Sequence, residues 1–216
     1  PRATVPRMAS TSAAVVLAGG ASRRLGYPKQ LIPYRDRPLL EHVVQAALTW
    51  PVDRVVVVLG FHAEAILDAI DFGDAVVAIN DDWEEGITSS LRVGLDVIAR
   101  DPHTDLSFIA LGDQPGIPPD VPEILLETAQ SSSRLVIAPV YRYERSNPLL
   151  FRRQLWERLM TLEGDQGAAA LLKAHPDWVE DVRVDHLPPK DIDTIDDVAD
   201  LGASGGRSGT GTVPAG

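Results

Sequence analysis

Short apolar runs alternate with segments of helical periodicity along most of this chain, and no other feature limits its fold as strongly. The apolar runs are rich in valine and isoleucine and lie at 13–18, 54–60, 75–79, 106–111 and 134–139. Each run is apolar on both faces, as is typical of strands buried between two layers of helices. Segments with helical spacing of apolar residues lie at 39–48, 62–70, 89–100 and 120–130. The alternation predicts an α/β fold with a doubly wound, mostly parallel sheet.

The length and the two ends of the chain indicate its organisation. A chain of 216 residues suits one α/β domain and is small for two. We expect a single domain at 13–201, preceded by a flexible segment at 1–12. The last stretch, GASGGRSGTGTVPAG at 202–216, is too poor in apolar side chains to bury a core, so we expect a disordered tail there.

Charge and composition exclude several classes of function. The formal net charge is -11, which predicts long-range repulsion of nucleic acids and anionic membranes. The sequence contains no cysteine, and this excludes a disulfide framework, a thiolate metal site and a thiol nucleophile. No apolar run approaches the roughly 18 residues of a membrane helix. We therefore expect a cytoplasmic protein without nucleic-acid or membrane partners, in which any phosphate site is local and aided by a divalent cation.

The loop after the first predicted strand has the composition of a phosphate site. Ligands of doubly wound sheets bind at the carboxyl ends of the strands, and LAGGASRRLGYPKQL at 17–31 follows such an end directly. Its glycines let backbone amides approach an anion, and Arg24 and Lys29 add positive charge. The loop contains neither a Walker A sequence nor GxGxxG. An ordinary glycine-rich turn is the alternative, but the two cations favour a triphosphate cradle.

Three later segments carry weaker signals. NDDWEEGITSSLRVGL at 80–95 contains Gly86 before a polar turn, and Ser89 or Ser90 can cap the helix that follows. LGDQPGIPPD at 111–120 places Asp113 at the end of a buried strand, where it can bind Mg²⁺ or cap a turn. DIDTIDDVADL at 191–201 is typical of a solvated, acidic helix start. The four tryptophans are scattered singly and are expected to pack in the core.

The first loop resembles a family motif. LAGGxSxRxGxxK in this position resembles the opening of the MobA/MocA-like nucleotidyltransferases, which attach a nucleotide to the molybdopterin cofactor, and the resemblance covers about 13–201. It implies a Rossmann-like nucleotidyltransferase fold of the glycosyltransferase-A type. It also implies a catalytic role for Arg24, Lys29 and Asp113. The positions implied to bind the nucleotide are Leu17, Ala18, Gly19, Gly20, Lys29, Asn80, Gly86 and Ser90.

The resemblance extends to the metal and to the acceptor. DIDTxxD resembles the family's second metal segment, which implies that Asp113 and Asp193 hold Mg²⁺ and leaves Asp196 and Asp197 as a solvated helix start. RSNPLLF at 145–151 stands where relatives tend to show Gly-His-Pro, and GDQGAAALL at 164–172 where they tend to show GDxGAR, with Ala169 in place of the arginine. The implied acceptor-binding residues are Arg145, Asn147, Pro148 and Asp165. The candidates to replace the missing charge are Arg142, Arg145 and Lys173.

These motifs predict a Mg²⁺-dependent enzyme that moves CMP from CTP to a phosphate-bearing acceptor and releases pyrophosphate. The resemblance implies molybdopterin as the acceptor, and a molybdoenzyme or its chaperone as a further partner. LGDQP at 111–115 favours CTP, whereas LAGG at 17–20 favours GTP. The alternatives are a molybdopterin guanylyltransferase, a sugar-phosphate nucleotidyltransferase, a non-catalytic molybdopterin-binding accessory protein and, ranked last, an oxidoreductase.

Overall fold

The computed structural model describes residues 11–22, 26–142, 144–162, 167–193 and 197. The strands of these residues are β1 (Thr11–Ala18), β2 (Pro33–Tyr34), β3 (Arg37–Pro38), β4 (Arg54–Leu59), β5 (Val76–Ile79), β6 (Thr104–Leu111), β7 (Val136–Tyr141), β8 (Glu144–Arg145), β9 (Leu149–Arg152) and β10 (Val179–Val184). The helices are α1 (Leu39–Ala47), α2 (Ala63–Ala69), α3 (Ile87–Ala99), α4 (Val121–Ser131), α5 (Trp156–Met160) and α6 (Gly167–Ala174).

One sheet organises the fold, in the strand order β10-β7-β9-β6-β1-β4-β5, with β8 beside β7. β1 pairs in parallel with β4 and with β6, and β4 pairs in parallel with β5. β9 is antiparallel to both β6 and β7, and β10 is parallel to β7. The predicted α/β class and the mostly parallel sheet are therefore confirmed.

The central strand shows why this sequence needs helices on both sides of the sheet. Successive side chains of a strand point to opposite faces. In β1, Ala14 and Val16 pack on one face with residues of α1 and α4, whereas Ala13 and Val15 pack on the other with residues of α3 and α5. All four side chains are essentially inaccessible to solvent. A strand that is apolar at every position is stable only in the middle of such a three-layer arrangement.

The periphery of the sheet differs from the prediction. Residues 75–79 were expected to be buried on both faces, but β5 is the edge strand, and Val76 and Ile79 are 42% and 44% exposed. β9 and β10 complete the other half of the sheet and have no counterpart among the predicted strands. β1 begins at Thr11, two residues before the predicted start of the domain.

Some predictions fall outside the described residues. These are residues 1–10 of the flexible segment predicted at 1–12, the tail predicted at 202–216, Arg24 with its predicted catalytic role and Asp165 with its predicted acceptor contact. None of the helices in the described part of the chain combines the length and the apolar character needed to cross a membrane.

Candidate functional site

A cavity of about 390 Å³ opens at the carboxyl ends of β1, β5 and β6. Because these strands run parallel in one sheet, with β4 between β1 and β5, the loops that follow them meet at one edge of the sheet. The cavity is lined by Leu17, Ala18, Gly19, Gly20, Ala21, Ser22, Lys29, Gln30, Trp83, Glu84, Gly86, Ile87, Ser90, Leu111, Gly112 and Asp113. The structure thus brings together Asp113 and, with the exception of Asn80, every residue predicted to bind the nucleotide.

Glycine is required where two of these loops touch. A Cβ atom on Gly19 would lie 2.5 Å from Ser90 Oγ. A Cβ atom on Gly60, which follows β4, would lie 2.6 Å from Trp83 Cβ and 2.7 Å from the Gly19 carbonyl oxygen. The Phe61 amide donates to that same oxygen at 3.2 Å. The absence of side chains therefore lets the loop after β1 pack directly against the loop after β4 and the start of α3.

Gln30 supports the loop after β1 through hydrogen bonds to its main chain, a role that was not predicted. Its side chain is buried, and its Nε2 donates to the carbonyl oxygens of Ala18 at 2.6 Å and Gly20 at 3.3 Å. The Lys29 amide in turn donates to Ser22 Oγ at 3.0 Å. The start of the loop is therefore bound to the short 3-10 helix at Lys29–Leu31.

Lys29 joins two acidic residues that are far apart in sequence. Its Nζ forms ion pairs with Asp113 Oδ2 and, at 3.2 Å, with Asp193 Oδ1. The Ile192 amide donates to the Asp113 carbonyl oxygen at 3.0 Å, and the Ile192 side chain is fully buried. These contacts fix the segment before Asp193 against the loop after β6. The two predicted metal ligands therefore converge on one point at the rim of the cavity.

Burial and pairing act in opposite directions on the pKa of these groups. Burial lowers the pKa of Lys29, but the attraction of Asp113 and Asp193 outweighs it and leaves that pKa above its ordinary value. Burial raises the pKa of Asp113, and Lys29 offsets this only in part. The repulsion from Asp191 raises the Asp113 pKa further. The ammonium group of Lys29 is consequently charged at neutral pH.

The acidic pair suits a divalent cation. Two carboxylates that converge on one cationic group are hard oxygen donors of the kind that Mg²⁺ and Mn²⁺ bind. Asp113 Oδ1 is also buried without a hydrogen-bond partner in the described part of the chain. No group of three or more His, Cys, Asp or Glu side chains suited to a metal occurs among the described residues. Asp113 and Asp193 can therefore supply part of a coordination sphere, with oxygens of substrate or water for the rest.

Asn80 supports the second loop without lining the cavity. It is buried, and its Nδ2 donates to Ser89 Oγ at 2.7 Å and to Ser90 Oγ at 3.0 Å. Its Oδ1 accepts from the Asp82 amide at 3.1 Å. Direct contact of Asn80 with a ligand in the cavity, as predicted, does not agree with this position, because its polar atoms are used within the loop.

The helix after this loop begins earlier than predicted. α3 starts at Ile87, and its N-cap is Gly86 with φ 102°, a backbone conformation that favours glycine. Ser89 and Ser90 therefore lie in the first turn of α3 and do not cap it. Ser89 Oγ donates to the Gly86 carbonyl oxygen at 2.8 Å, and Ser90 faces Gly19.

Trp83 is a cavity residue that the sequence analysis assigned to the core. It lies in a 3-10 helix at Trp83–Glu85, lines the cavity, and packs against Phe61 with 5.0 Å between ring centroids. A single tryptophan outside any periodic pattern gave no signal for this role. Along the edge of the sheet, Trp83 and Asp113 lie on opposite sides of the loop after β1, because β5 and β6 flank β1 and β4.

A second cavity of about 360 Å³ contains two of the predicted acceptor residues, Arg145 and Asn147. It is lined by Arg145, Ser146, Asn147, Leu149, Ala169, Leu172 and Lys173. The Arg145 guanidinium forms a bidentate ion pair with Asp181, at 2.8 Å and 2.9 Å. Pro148 is buried and does not line this cavity, which disagrees with its predicted contact to the acceptor.

A chain of hydrogen bonds runs from the second cavity to residues close to Asp113 and Asp193 in the sequence. Asn147 Nδ2 donates to Gln114 Oε1 at 2.9 Å, and Gln114 Nε2 donates to Asp191 Oδ1 at 2.7 Å. Gln114 is buried and follows Asp113 directly. Asn147, which lines the second cavity, is therefore connected through Gln114 to the segment that carries Asp193.

Known proteins similar to this chain point to one family. The family model for a MobA-like NTP transferase domain matches residues 14–179. Nicotine blue oxidoreductase of Paenarthrobacter nicotinovorans is 33% identical over 193 residues, which cover 84% of this chain and 92% of that protein. The crystal structure of Rv0371c from Mycobacterium tuberculosis H37Rv matches with a TM-score of 0.81 and 32% identity, covering 90% of this chain and 98% of that chain. The Rv0371c complex with manganese matches with a TM-score of 0.76 and 30% identity over 88% and 97% of the two chains.

Proposed function

The chain belongs to the MobA-like NTP transferase family, and we propose that it moves a nucleoside monophosphate from an NTP to a phosphate-bearing acceptor. The observation that supports this reaction is the meeting of Lys29, Asp113 and Asp193 beside the glycine loop. A triphosphate and its cation need one fixed positive charge, two carboxylates and a set of backbone amides, and this edge of the sheet offers all of them. The cavity of about 390 Å³ is within the range of small-molecule sites.

The proposed reaction depends on the positioning of the two substrates and needs no covalent intermediate with the protein. An oxygen of the acceptor phosphate attacks the α-phosphorus of the NTP. The bond from the α-phosphorus to the bridging oxygen breaks, and pyrophosphate leaves with the electron pair. The acceptor phosphate is already ionised near neutral pH, so no general base is needed. Lys29, charged at this pH, stabilises the negative charge that develops on the phosphates, and the loop at 17–22 holds them in line.

We assign Mg²⁺ to the pair of Asp113 and Asp193. Two converging carboxylates, one of them with an unpartnered buried oxygen, support this assignment. When bound, the metal supplies neutralisation of phosphate charge. The manganese complex of Rv0371c is consistent with a divalent cation in this family.

CTP is the donor we propose, because LGDQP at 111–115 resembles the cytidylyl branch of the family. LAGG at 17–20 supports GTP instead, so both nucleotides belong in the test. Trp83 offers an aromatic surface to either base and does not favour one over the other.

The second cavity is the place we propose for the acceptor, with molybdopterin as the acceptor and Arg145, Asn147 and Lys173 as its polar contacts. Lys173 and Arg145 supply positive charge where Ala169 leaves none. Asp181 already pairs with Arg145, so Lys173 carries more of the charge available to a ligand than the sequence alone suggests. A molybdoenzyme or its chaperone would then receive the product.

Pyrophosphate release tests the proposal. CTP, GTP, ATP and UTP are each supplied with Mg²⁺ and with molybdopterin, and pyrophosphate is measured over time. We expect release that depends on the acceptor and is fastest with CTP. Faster release with GTP would replace the donor, and no release with any of the four nucleotides would refute the proposed reaction for this acceptor.

A second candidate function follows from the 33% identity to nicotine blue oxidoreductase. If this chain shares that activity, it should oxidise or reduce nicotine blue. The Lys29 site predicts instead that a nucleoside triphosphate binds in the cavity and that nicotine blue is left unchanged. Turnover of nicotine blue that is lost in Lys29→Met would favour the oxidoreductase.

A further inference from the structure

We propose that Lys29 is an internal counter-ion that occupies the metal position until a polyphosphate draws it away, so that metal and nucleotide load together. This inference rests on the proposed function, because it takes Asp113 and Asp193 as the metal ligands. It adds a second role for Lys29, distinct from its contact with the phosphates during the reaction.

The contacts of Lys29 carry the inference. A single Nζ forms ion pairs with both carboxylates, with Asp113 Oδ2 and with Asp193 Oδ1. The side chains of Lys29 and Asp113 are only 21% and 15% exposed, so the pair is poorly screened by water. The ammonium therefore occupies one oxygen of each carboxylate that a metal would bind, and it joins the two acidic segments.

Two cations do not share these oxygens without repulsion. A divalent metal binds carboxylate oxygens at about 2.0–2.6 Å, and an ammonium hydrogen-bonded to the same oxygens would lie a few ångströms from it. The gain from binding the metal is thus reduced by the ion pairs that it must break. Lys29 also lines the main cavity, where the phosphates of a nucleotide would offer it a new anionic partner.

The consequence is positive coupling between the two ligands. A polyphosphate that takes over the ammonium frees Asp113 and Asp193 for the metal, and by reciprocity the metal favours the released form of Lys29. The metal alone should bind weakly to the wild-type protein. Removal of the ammonium should then strengthen binding of the metal alone, even though the same change abolishes nucleotide transfer.

Binding of Mn²⁺ without nucleotide, measured by electron paramagnetic resonance of the free ion, tests this. We expect Lys29→Met to bind Mn²⁺ about 10- to 100-fold more tightly than the wild type, the range that corresponds to loss of one charge-assisted hydrogen bond. Lys190→Met is the matched control: it removes the same charge three residues from Asp193, and Lys190 is exposed and forms no ion pair with Asp113 or Asp193. It should change the affinity less than threefold.

Further variants separate this inference from the proposed function. Asp113→Asn should weaken Mn²⁺ binding in either background. If it does so while Lys29→Met binds Mn²⁺ no better than wild type or Lys190→Met, the counter-ion role is wrong and the metal site stands. If Asp113→Asn leaves Mn²⁺ binding unchanged, both the metal site and the counter-ion role are wrong. If Lys29→Met folds poorly, Lys29→Gln replaces it, and the rise in Tm on addition of Mn²⁺ is measured. The rise should be larger for Lys29→Gln than for the wild type.

Discussion

The two glycines that follow β1 differ in their surroundings, and this predicts different outcomes for the same substitution. A Cβ atom on Gly19 would lie 2.5 Å from Ser90 Oγ and 3.6 Å from the Gly60 amide nitrogen. A Cβ atom on Gly20 would meet no heavy atom within 4 Å. Gly19→Ala should therefore destabilise the fold, whereas Gly20→Ala should leave its stability nearly unchanged. The two residues are indistinguishable in the motif itself.

The expected size of the effect follows from what must move. Ser90 is held by Asn80, whose Nδ2 donates to Ser90 Oγ at 3.0 Å, and loss of such a bond costs about 0.5–1.5 kcal/mol. Overpacking in a closed site costs about 1–3 kcal/mol in total. We expect Gly19→Ala to lower the free energy of unfolding within that range. Ser90→Ala removes the clashing oxygen, so the double variant should be more stable than the sum of the two single effects predicts, by about 1 kcal/mol.

Urea unfolding followed by circular dichroism measures these differences directly. The four proteins of the double-mutant cycle and Gly20→Ala are compared at one pH and temperature. Equal stabilities of Gly19→Ala and Gly20→Ala would refute the packing described here. Strict additivity of Gly19→Ala and Ser90→Ala would show that Ser90 is not the residue that the new methyl group meets.

Three further predictions concern the acidic pair, the second cavity and the core. Asp113→Asn should abolish transfer with little change in Tm, because burial already opposes the charge of this carboxylate. Asp197→Asn should lower kcat only slightly, since its amide oxygen can still accept from the Asp193 amide as Asp197 Oδ2 does at 3.0 Å. Equal losses in kcat would contradict this. Arg145→Ala should raise the KM for the acceptor and leave nucleotide affinity unchanged, and Asp181→Asn, which frees the guanidinium, should lower that KM; no change in either variant would exclude Arg145 from acceptor binding. Gly94→Ala should lower the free energy of unfolding in urea by about 1–3 kcal/mol, because the new Cβ would lie 2.3 Å from Val15 Cγ1. An unchanged free energy of unfolding would contradict the packing of α3 on β1.

The centre of the sheet could be predicted from the sequence, and its outer strands could not. The run at 54–60 is apolar on both faces and corresponds to β4 at Arg54–Leu59. β9 has only four residues, and β10 reads VEDVRV, with charged side chains at three of its six positions. Such strands lack the continuous apolar pattern that identified the central ones. β5 has that pattern but lies at an edge. Its position could not be predicted, because apolar composition does not specify the order of strands in a sheet.

In the candidate site, position along the chain predicted some residues and missed others for a physical reason. Lys29 and Asp113 follow buried strands and carry charge, so their roles could be inferred. Gln30 acts on the main-chain carbonyls of Ala18 and Gly20, and carbonyl acceptors leave no mark in the sequence. Asp193 is separated from Lys29 by 164 positions in the sequence and meets it only through folding, and the resemblance to known motifs was the sole indication of this contact.

Isotope transfer tests the central claim most directly, because it reports which bond of the nucleotide breaks. The protein is incubated with Mg²⁺, molybdopterin and CTP that carries radioactive phosphorus either at the α- or at the γ-position, and acceptor and pyrophosphate are separated. The proposed reaction at Lys29, Asp113 and Asp193 predicts the α-label in the acceptor and the γ-label in pyrophosphate. Appearance of the γ-label in the acceptor would indicate phosphoryl transfer and would contradict the account.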